Sequence, residues 1–150
     1  MNGQEKGMSL IVKTITRLTV GLILLFGIYI VLHGHISPGG GFAGGVIIAL
    51  SFIHIMLAFG KDFAFKKINE NVASILESIG ALIFVTLALT GLGTGYFFFN
   101  FLSKGKPFKL FSSGLMPLYN IAITLKVGSG LFIIVVVMVL LKIAKKENNK

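Results

Sequence analysis

Cysteine is absent from this chain of 150 residues, and acidic residues are scarce, with five Asp and Glu against 14 Lys and Arg. Without a thiol, the chain has no disulfides, no cysteine nucleophile and no cysteine-bound metal cluster. It also lacks a serine triad, a carboxylate pair with catalytic spacing and a Walker-type lysine motif. His33 and His35 have no acidic neighbours at a spacing typical of metal ligands. We therefore expect no cofactor, no metal site and no enzyme activity of the chain by itself.

Long segments without charge are the main positive feature of the sequence. Hydrophobic residues make up 55% of the chain, and its mean hydropathy is +0.92. Neither Leu18–Gly60 nor Ser78–Ser103 contains Asp, Glu, Lys or Arg. A helix needs about 20 mainly apolar residues to cross roughly 30 Å of hydrocarbon. The pattern therefore predicts an integral membrane protein surrounded by the lipid bilayer.

Helix-breaking residues divide these runs into four crossings. The first long run is interrupted only at His33–Gly41, where Pro38 and three consecutive glycines weaken a helix. Pro117 fits the first turn of the last helix, where a missing N–H costs nothing. The predicted fold is all-α, one membrane domain over residues 1–150, forming a bundle of four transmembrane helices at about 9–32, 41–59, 75–102 and 117–141.

The positive charges predict the orientation of the bundle. Four crossings place both termini on one side, and ten basic residues then share that side against three in the opposite loops, Lys104, Lys106 and Lys109. Basic loops stay in the cytoplasm, so we expect cytoplasmic N- and C-termini in the cell membrane. Because these charges flank apolar helices, they do not indicate nucleic-acid binding.

Three ionisable residues are candidates for an ion pathway: Lys126, Glu77 and His54. Lys126 should lie roughly 12 Å below the outer boundary, where a charge costs at least about 2.5 kcal/mol and so faces protein or water. The other interpretation is a lysine that reaches the outer surface or pairs with a partner's carboxylate. Glu77 is expected near the cytoplasmic boundary, roughly 15 Å from the depth of Lys126, which argues against direct pairing. His54 fits either a proton relay or a hydrogen-bonded packing residue.

Glycines inside the predicted helices have the spacing that permits close helix contact, in the pairs Gly41 with Gly45 and Gly91 with Gly95. Simple packing of the bundle explains them without any further role. The turn at Pro38–Gly41 has a second interpretation, in which free N–H groups at the start of helix two bind an anion.

The glycine-rich turn also resembles the signature of a known family. The stretch Gly34–Phe42, which includes His35, Pro38, Gly39, Gly40, Gly41 and Phe42, is followed by Gly44 and Gly45. It is similar to the signature of the MnhB family, whose members are subunits of Mrp-type multisubunit sodium/proton antiporters. Relatives occur in the membrane arms of energy-converting hydrogenases and ferredoxin-linked complexes. The resemblance continues at Glu77, Gly80, Ala81, Pro117, Asn120, Lys126 and Val127.

This resemblance implies an accessory membrane subunit that contributes to Na+ and H+ translocation within a larger assembly. Its partners would be other hydrophobic subunits, either of a free-standing Mrp-type antiporter or of a hydrogenase-like membrane arm. The alternative is a structural spacer that is needed only for assembly. An independent redox enzyme conflicts with the lack of cysteines and of paired metal or flavin ligands.

Overall fold

The computed structural model describes residues 8–60, 70–100, 102 and 113–148. Within these ranges the chain forms four α-helices and no strand: α1 (Leu10–His33), α2 (Gly41–Phe59), α3 (Glu70–Leu89) and α4 (Met116–Asn148). A short 3-10 helix, Thr90–Thr94, extends α3. The predicted all-α class and the number of helices are confirmed. The loop lysines 61, 66, 67, 104, 106 and 109 lie outside the described residues.

All four helices are long and apolar enough to cross a membrane, over Leu10–His33, Gly41–Phe59, Asn71–Gly93 and Met116–Lys142. Their backbone N–H and C=O groups are satisfied within each helix, which hydrocarbon requires. Large hydrophobic side chains remain exposed on the outer faces, for example Leu10, Leu18 and Leu82. Such faces suit contact with lipid or with other hydrophobic chains, and the protein is a multi-pass membrane protein.

Helix α4 is at the centre of the arrangement. It packs against both α2 and α3, whereas α1 packs mainly against α2. At the end of the bundle where α1 begins and α4 ends, a buried cluster joins α2, α3 and α4. Its members are Met56, Ala73, Phe132 and Val136. We call this the terminal end, and we call the opposite end, with the turn between α1 and α2, the motif end.

The glycine-rich turn has a backbone that only glycine adopts readily. Gly39 and Gly40 have φ angles of +146° and +92°, and α2 begins at the next residue. A side chain on Gly34 would collide with the backbone of Gly40. The helix breakers therefore end α1 and allow α2 to fold back closely beside it.

The third helix differs from its predicted bounds. It begins at Glu70 instead of 75, and its α-helical part ends at Leu89 instead of 102. The early end has a local cause, because Gly91, Gly93 and Gly95 alternate through a segment that tightens into the 3-10 helix and stops at Gly95 with φ +84°. Helix α4 continues beyond 141 to Asn148, since polar residues outside the membrane extend it.

Candidate functional site

An ion pair joins the two helices that carry the charged candidates. Lys126 Nζ on α4 donates a hydrogen bond to Glu77 Oε1 on α3 over 3.3 Å. The two side chains keep 52% and 37% of their surface exposed in the isolated chain. Both residues lie inside the predicted membrane spans, where hydrocarbon alone would not solvate them. The pair therefore needs a covering protein surface or water.

The expectation that Glu77 and Lys126 do not pair directly is wrong. Glu77 lies one helical turn from Gly80, and Gly80 packs against the backbone of Lys126. The two residues thus differ in depth by only about one turn, on the order of 5 Å, which the long lysine side chain bridges. A hydrocarbon boundary near Ile75 puts Glu77 close to the membrane surface. The membrane span begins at Asn71 instead, so Glu77 lies deeper than expected and nearer to the level of Lys126.

Small residues bring α3 and α4 together beside this pair. A Cβ atom on Gly80 would lie 2.7 Å from the backbone N of Lys126 and 2.8 Å from the carbonyl O of Ala122. Next to this contact is a groove of about 340 Å³, whose walls include Ala81, Phe84, Ala122 and Lys126. We call it the Lys126 groove. Its lining is apolar apart from the lysine, so the ion pair stands at the margin of a nonpolar space.

Asn120 connects three helices at the motif end. Its Oδ1 accepts a hydrogen bond from the N–H of Gly41 over 3.2 Å, and its Nδ2 donates to the carbonyl O of Val31 over 3.4 Å. One turn along α4, the hydroxyl of Thr124 lies 3.0 Å from the carbonyl O of Gly41. The N–H of Gly41 is thus bonded within the protein. This donor is therefore not available for the anion-binding role that the turn could have.

The glycines of α2 lie where the helix meets α4. A side chain on Gly41 would collide with the backbone of Asn120, and one on Gly45 would lie 3.2 Å from the carbonyl O of Thr124. The second predicted pair does not behave in this way. Gly91 packs against the chain segment that follows it, and a Cβ atom on Gly95 would meet no atom within 4 Å. Gly91 and Gly95 thus serve the end of α3, because the helix has already stopped there.

The structure does not bring the predicted histidines to the ion pair. His54 is exposed on α2, and no hydrogen bond, ion pair or ring contact joins it to the pair within the described segments. His35 is half-buried in the glycine-rich turn at the motif end. Pro38 and Phe42 are exposed there, and Phe42 keeps 65% of its surface. A group of three or more His, Asp or Glu residues that could hold a metal is absent from the described residues.

A second cavity lies at the motif end, and no pattern in the sequence indicates it. Its volume is about 720 Å³, and its lining includes Phe84, Phe98, Asn100, Ser113 and Tyr119. The Ser113 Oγ and the Tyr119 hydroxyl are buried with no hydrogen-bond partner among the described residues. Asn100 Oδ1 accepts from the N–H of Leu115 over 3.3 Å. We call this space the Tyr119 cavity.

Three aromatic rings pack together beside the Tyr119 cavity, and one of them, Phe84, also lines the Lys126 groove. The ring of Phe84 lies edge-on to Tyr119 at 5.5 Å and to Phe98 at 6.0 Å between centroids. Phe98 has φ +62°, a left-handed conformation that costs a non-glycine residue roughly 1–2 kcal/mol. Packing of its ring and a hydrogen bond from its N–H to the carbonyl O of Ala88, over 3.3 Å, hold it there.

Comparison with known proteins gives a family and a structural relative. A family model described as a domain related to the MnhB subunit of Na+/H+ antiporter matches residues 11–141. Among solved structures, a chain of the membrane-bound sulfane sulfur reductase, an archaeal respiratory membrane complex, is similar with a TM-score of 0.72 and 31% identity. The similarity covers 90% of this chain and 62% of that chain.

Two curated relatives have about the same level of identity. An uncharacterized protein of Methanocaldococcus jannaschii is 39% identical, over 73% of this chain and 44% of the relative. A Staphylococcus aureus protein that is named as antiporter subunit mnhB2 is 40% identical, over 49% of this chain and 51% of the relative. The chain thus spans about half the length of the curated relatives it matches.

Proposed function

The chain belongs to the MnhB family, and from this we propose that it is a non-catalytic membrane subunit of a multisubunit cation-translocating complex. The name of the S. aureus relative supports an antiporter, and the archaeal structural relative supports a respiratory membrane complex. Each of these names describes a subunit or a chain of a larger assembly. Other hydrophobic subunits are therefore its proposed partners, and Na+ and H+ are the proposed transported ions.

The exposed ion pair of Glu77 and Lys126 carries the proposal. A lone lysine at the centre of a membrane helix costs about 2.5–3.5 kcal/mol on insertion scales. The side chains of Glu77 and Lys126 are partly exposed on the surface of the isolated chain. In the complex, a neighbouring subunit or a hydrated path covers this surface. Intramembrane ionisable groups in such positions commonly mark ion or proton routes.

The chemistry of the pair suits exchange of cations. Carboxylate oxygen is a good ligand for a hard cation or a proton, and the ammonium group of Lys126 already occupies Glu77 as a tethered cation. A sodium ion or proton that reaches Glu77 competes with this ammonium group. Movement of one cation would in this way be coupled to movement of another. His54, exposed on α2, is a further candidate for a proton relay.

Replacement of Lys126 by Ala tests this function. Sodium-dependent proton movement is measured in membrane vesicles that contain the assembled complex, and assembly is verified by native electrophoresis. Lys142→Ala, at the end of the α4 span, is the matched control. We expect the first variant to lose transport and the second to retain it. Unchanged transport by an assembled Lys126→Ala complex would remove the lysine from the mechanism.

A structural spacer is the second candidate function, and the close helix contacts favour it. The contacts of Gly41 with Asn120 and of Gly80 with Lys126 make α2, α4 and α3 a compact unit on which larger subunits can dock. If this is the only function, bulky residues at Gly41 or Gly45 should dissociate the complex while Lys126→Ala leaves transport intact. Normal assembly of the bulky variants would contradict the spacer.

We also propose that both termini lie in the cytoplasm. The sequence places ten basic residues on the side of the termini and three on the other. The guanidinium of Arg17 lies 5.3 Å from the centre of the Phe59 ring, so this basic residue stands at the terminal end of the bundle. A fluorescent reporter and a periplasm-active enzyme reporter, each fused at the C-terminus, test the orientation. Activity of only the second reporter would reverse it.

A further inference from the structure

The Lys126 groove lies on a side of the bundle that the other helices of this chain leave open. Helix α3 packs mainly against α4, and the walls of the groove come from these two helices alone within the described residues. Val85, in the wall from α3, keeps 52% of its surface exposed. In a membrane the groove therefore meets lipid, water or another protein.

The depth of Lys126 argues against lipid. The last membrane span begins at Met116, which places Lys126 about 15 Å along the helix axis, near the middle of roughly 30 Å of hydrocarbon. The bond to Glu77 holds the ammonium group at this level, where the lysine side chain keeps 52% of its surface exposed. A charge that faces acyl chains at this depth costs at least about 2.5 kcal/mol. Acyl chains alone are thus a poor cover for the groove.

The lining of the groove does not suit water either. A bound water molecule needs about two to four polar partners, and the lining is apolar apart from Lys126. The small walls at Gly80, Ala81 and Ala122 instead allow a helix backbone to approach closely. An α-helix also satisfies its own backbone N–H and C=O groups, as hydrocarbon requires. A transmembrane helix is therefore the occupant that fits the shape and the polarity of the groove.

The ion pair determines the charge of this helix. Glu77 already neutralises Lys126, so a second carboxylate on the partner would leave excess negative charge in a nonpolar setting, which is costly. An ammonium group can donate more than one hydrogen bond, and among the described residues Lys126 Nζ donates only to Glu77 Oε1. Its other N–H bonds need neutral acceptors, such as hydroxyl or amide oxygens, from the helix that covers them.

We infer that the Lys126 groove is the docking site of an uncharged transmembrane helix from another subunit, and that this helix presents a hydrogen-bond acceptor to Lys126. The inference rests on the proposed function as a subunit of a larger complex, and it names the contact surface and the chemistry of the partner. The helix lies along the α3–α4 contact and shields the ammonium group from lipid. Its apolar side chains pack against Phe84 and Val85.

A photochemical probe at Val85 identifies the molecule that touches the groove. Val85 is replaced in the native complex, by stop-codon suppression, with an amino acid that carries a diazirine on an aliphatic side chain. Light expels N2, and the resulting carbene inserts into a neighbouring protein, lipid or water molecule. The same probe at Phe132, which is 3% exposed in the buried cluster, is the matched control. Membrane vesicles are irradiated, and mass spectrometry of peptides from this subunit identifies the products.

We expect the Val85 probe to form cross-links mainly with a transmembrane segment of another subunit, and the Phe132 probe to form products only within this chain. The linked segment should contain no Asp, Glu, Lys or Arg at the level of Lys126. Lipid adducts, or the alcohol that the carbene forms with water, as the main product at Val85 would overturn the docking site. A charged residue in the linked segment at that level would overturn the uncharged helix.

Removal of the charges from this chain tests the charge of the partner independently. With an uncharged helix in the groove, Glu77→Gln leaves Lys126 without a countercharge and lowers the amount of complex in native electrophoresis. The double variant Glu77→Gln with Lys126→Met leaves no charge and assembles nearly normally. A partner carboxylate predicts the reverse, because it would compensate Lys126 in the single variant and be stranded in the double variant. That reverse pattern would overturn the uncharged helix.

Cross-linking does not require ion transport, so the two proposals fail separately. If the Val85 probe links to another subunit while an assembled Lys126→Ala complex transports normally, the docking site stands and the ion pathway is wrong. If the probe meets only lipid or water while transport still depends on Lys126, the docking site is wrong and the ion pathway stands.

Discussion

Gly80 packs directly against the backbone of Lys126, since a Cβ atom on Gly80 would lie 2.7 Å from the lysine N. This contact sets the distance between α3 and α4 and thereby the reach from Lys126 to Glu77. We expect Gly80→Leu to push the helices apart, to cost about 1–3 kcal/mol through overpacking, and to break the ion pair. The loss should appear as a lower thermal stability of the complex in mild detergent and as lost transport.

Gly21 offers a matched control for this prediction. It lies within α1, and a Cβ atom added to it would have no neighbouring atom within 4 Å, so Gly21→Leu replaces a helical glycine without a collision. Its stability should stay equal or rise, because leucine is the better helix former. If both variants lose the same stability, the contact of Gly80 with Lys126 is not what holds α3 against α4.

Local features of the sequence were enough to predict the helices. The bounds of α2 agree with the prediction of 41–59 because a charge-free run ends at a dense cluster of proline and glycine. The end of α3 was missed because hydrophobicity continues through Thr90–Asn100, while the alternating glycines there stop the helix. Hydropathy reports which residues enter the membrane, and backbone freedom decides which of them remain helical.

The pairing of Glu77 with Lys126 could not be predicted from the sequence alone. Their separation in depth depends on the register between α3 and α4, which the contact of Gly80 with Ala122 and Lys126 sets. Gly80 and Asn120 stand out in the sequence only as parts of the family resemblance, with no role. The Tyr119 cavity likewise depends on the approach of Phe84, Phe98 and Tyr119 from three segments. Such tertiary arrangements have no local signal.

Replacing both charges together separates electrostatics from assembly. In Glu77→Gln alone, Lys126 is left without a countercharge, and we expect a loss of at least about 2.5 kcal/mol at this depth. The double variant Glu77→Gln with Lys126→Met removes both charges and keeps similar volumes, a change that is often close to neutral for stability. Native electrophoresis should show less complex for the single variant and near-normal amounts for the double variant.

Transport by the double variant then decides the role of the charges. An ion pathway through this pair predicts an assembled complex without sodium-dependent proton movement in vesicles. Normal transport by the double variant would mean that the charges serve only each other. Ser78→Ala, next to Glu77 on an exposed face of α3, is the control for changes that merely alter the surface of this helix.

Asn120 is expected to determine how the glycine-rich turn docks on α4. Asn120→Ala removes an acceptor for the N–H of Gly41 and a donor for the carbonyl O of Val31. Buried backbone groups left without partners cost about 1–3 kcal/mol each. Thermal unfolding in detergent should therefore shift to a clearly lower temperature, whereas Asn71→Ala, at the exposed start of α3, should leave it unchanged. An equal shift for both variants would contradict the role of Asn120.

Two glycines with left-handed backbone conformations test whether a steric collision adds to backbone strain at the wall of the Tyr119 cavity. Gly114 and Gly95 have φ angles of +62° and +84°, so Ala at either position carries a left-handed penalty of roughly 1–2 kcal/mol. Only at Gly114 would the new methyl group also collide, with the side chain amide of Asn100. Asn100 accepts from the N–H of Leu115, so this collision should loosen the wall of the Tyr119 cavity. We expect Gly114→Ala to lower the thermal stability of the complex in mild detergent more than Gly95→Ala does. Equal stability losses for the two variants would show that backbone strain alone matters at both positions.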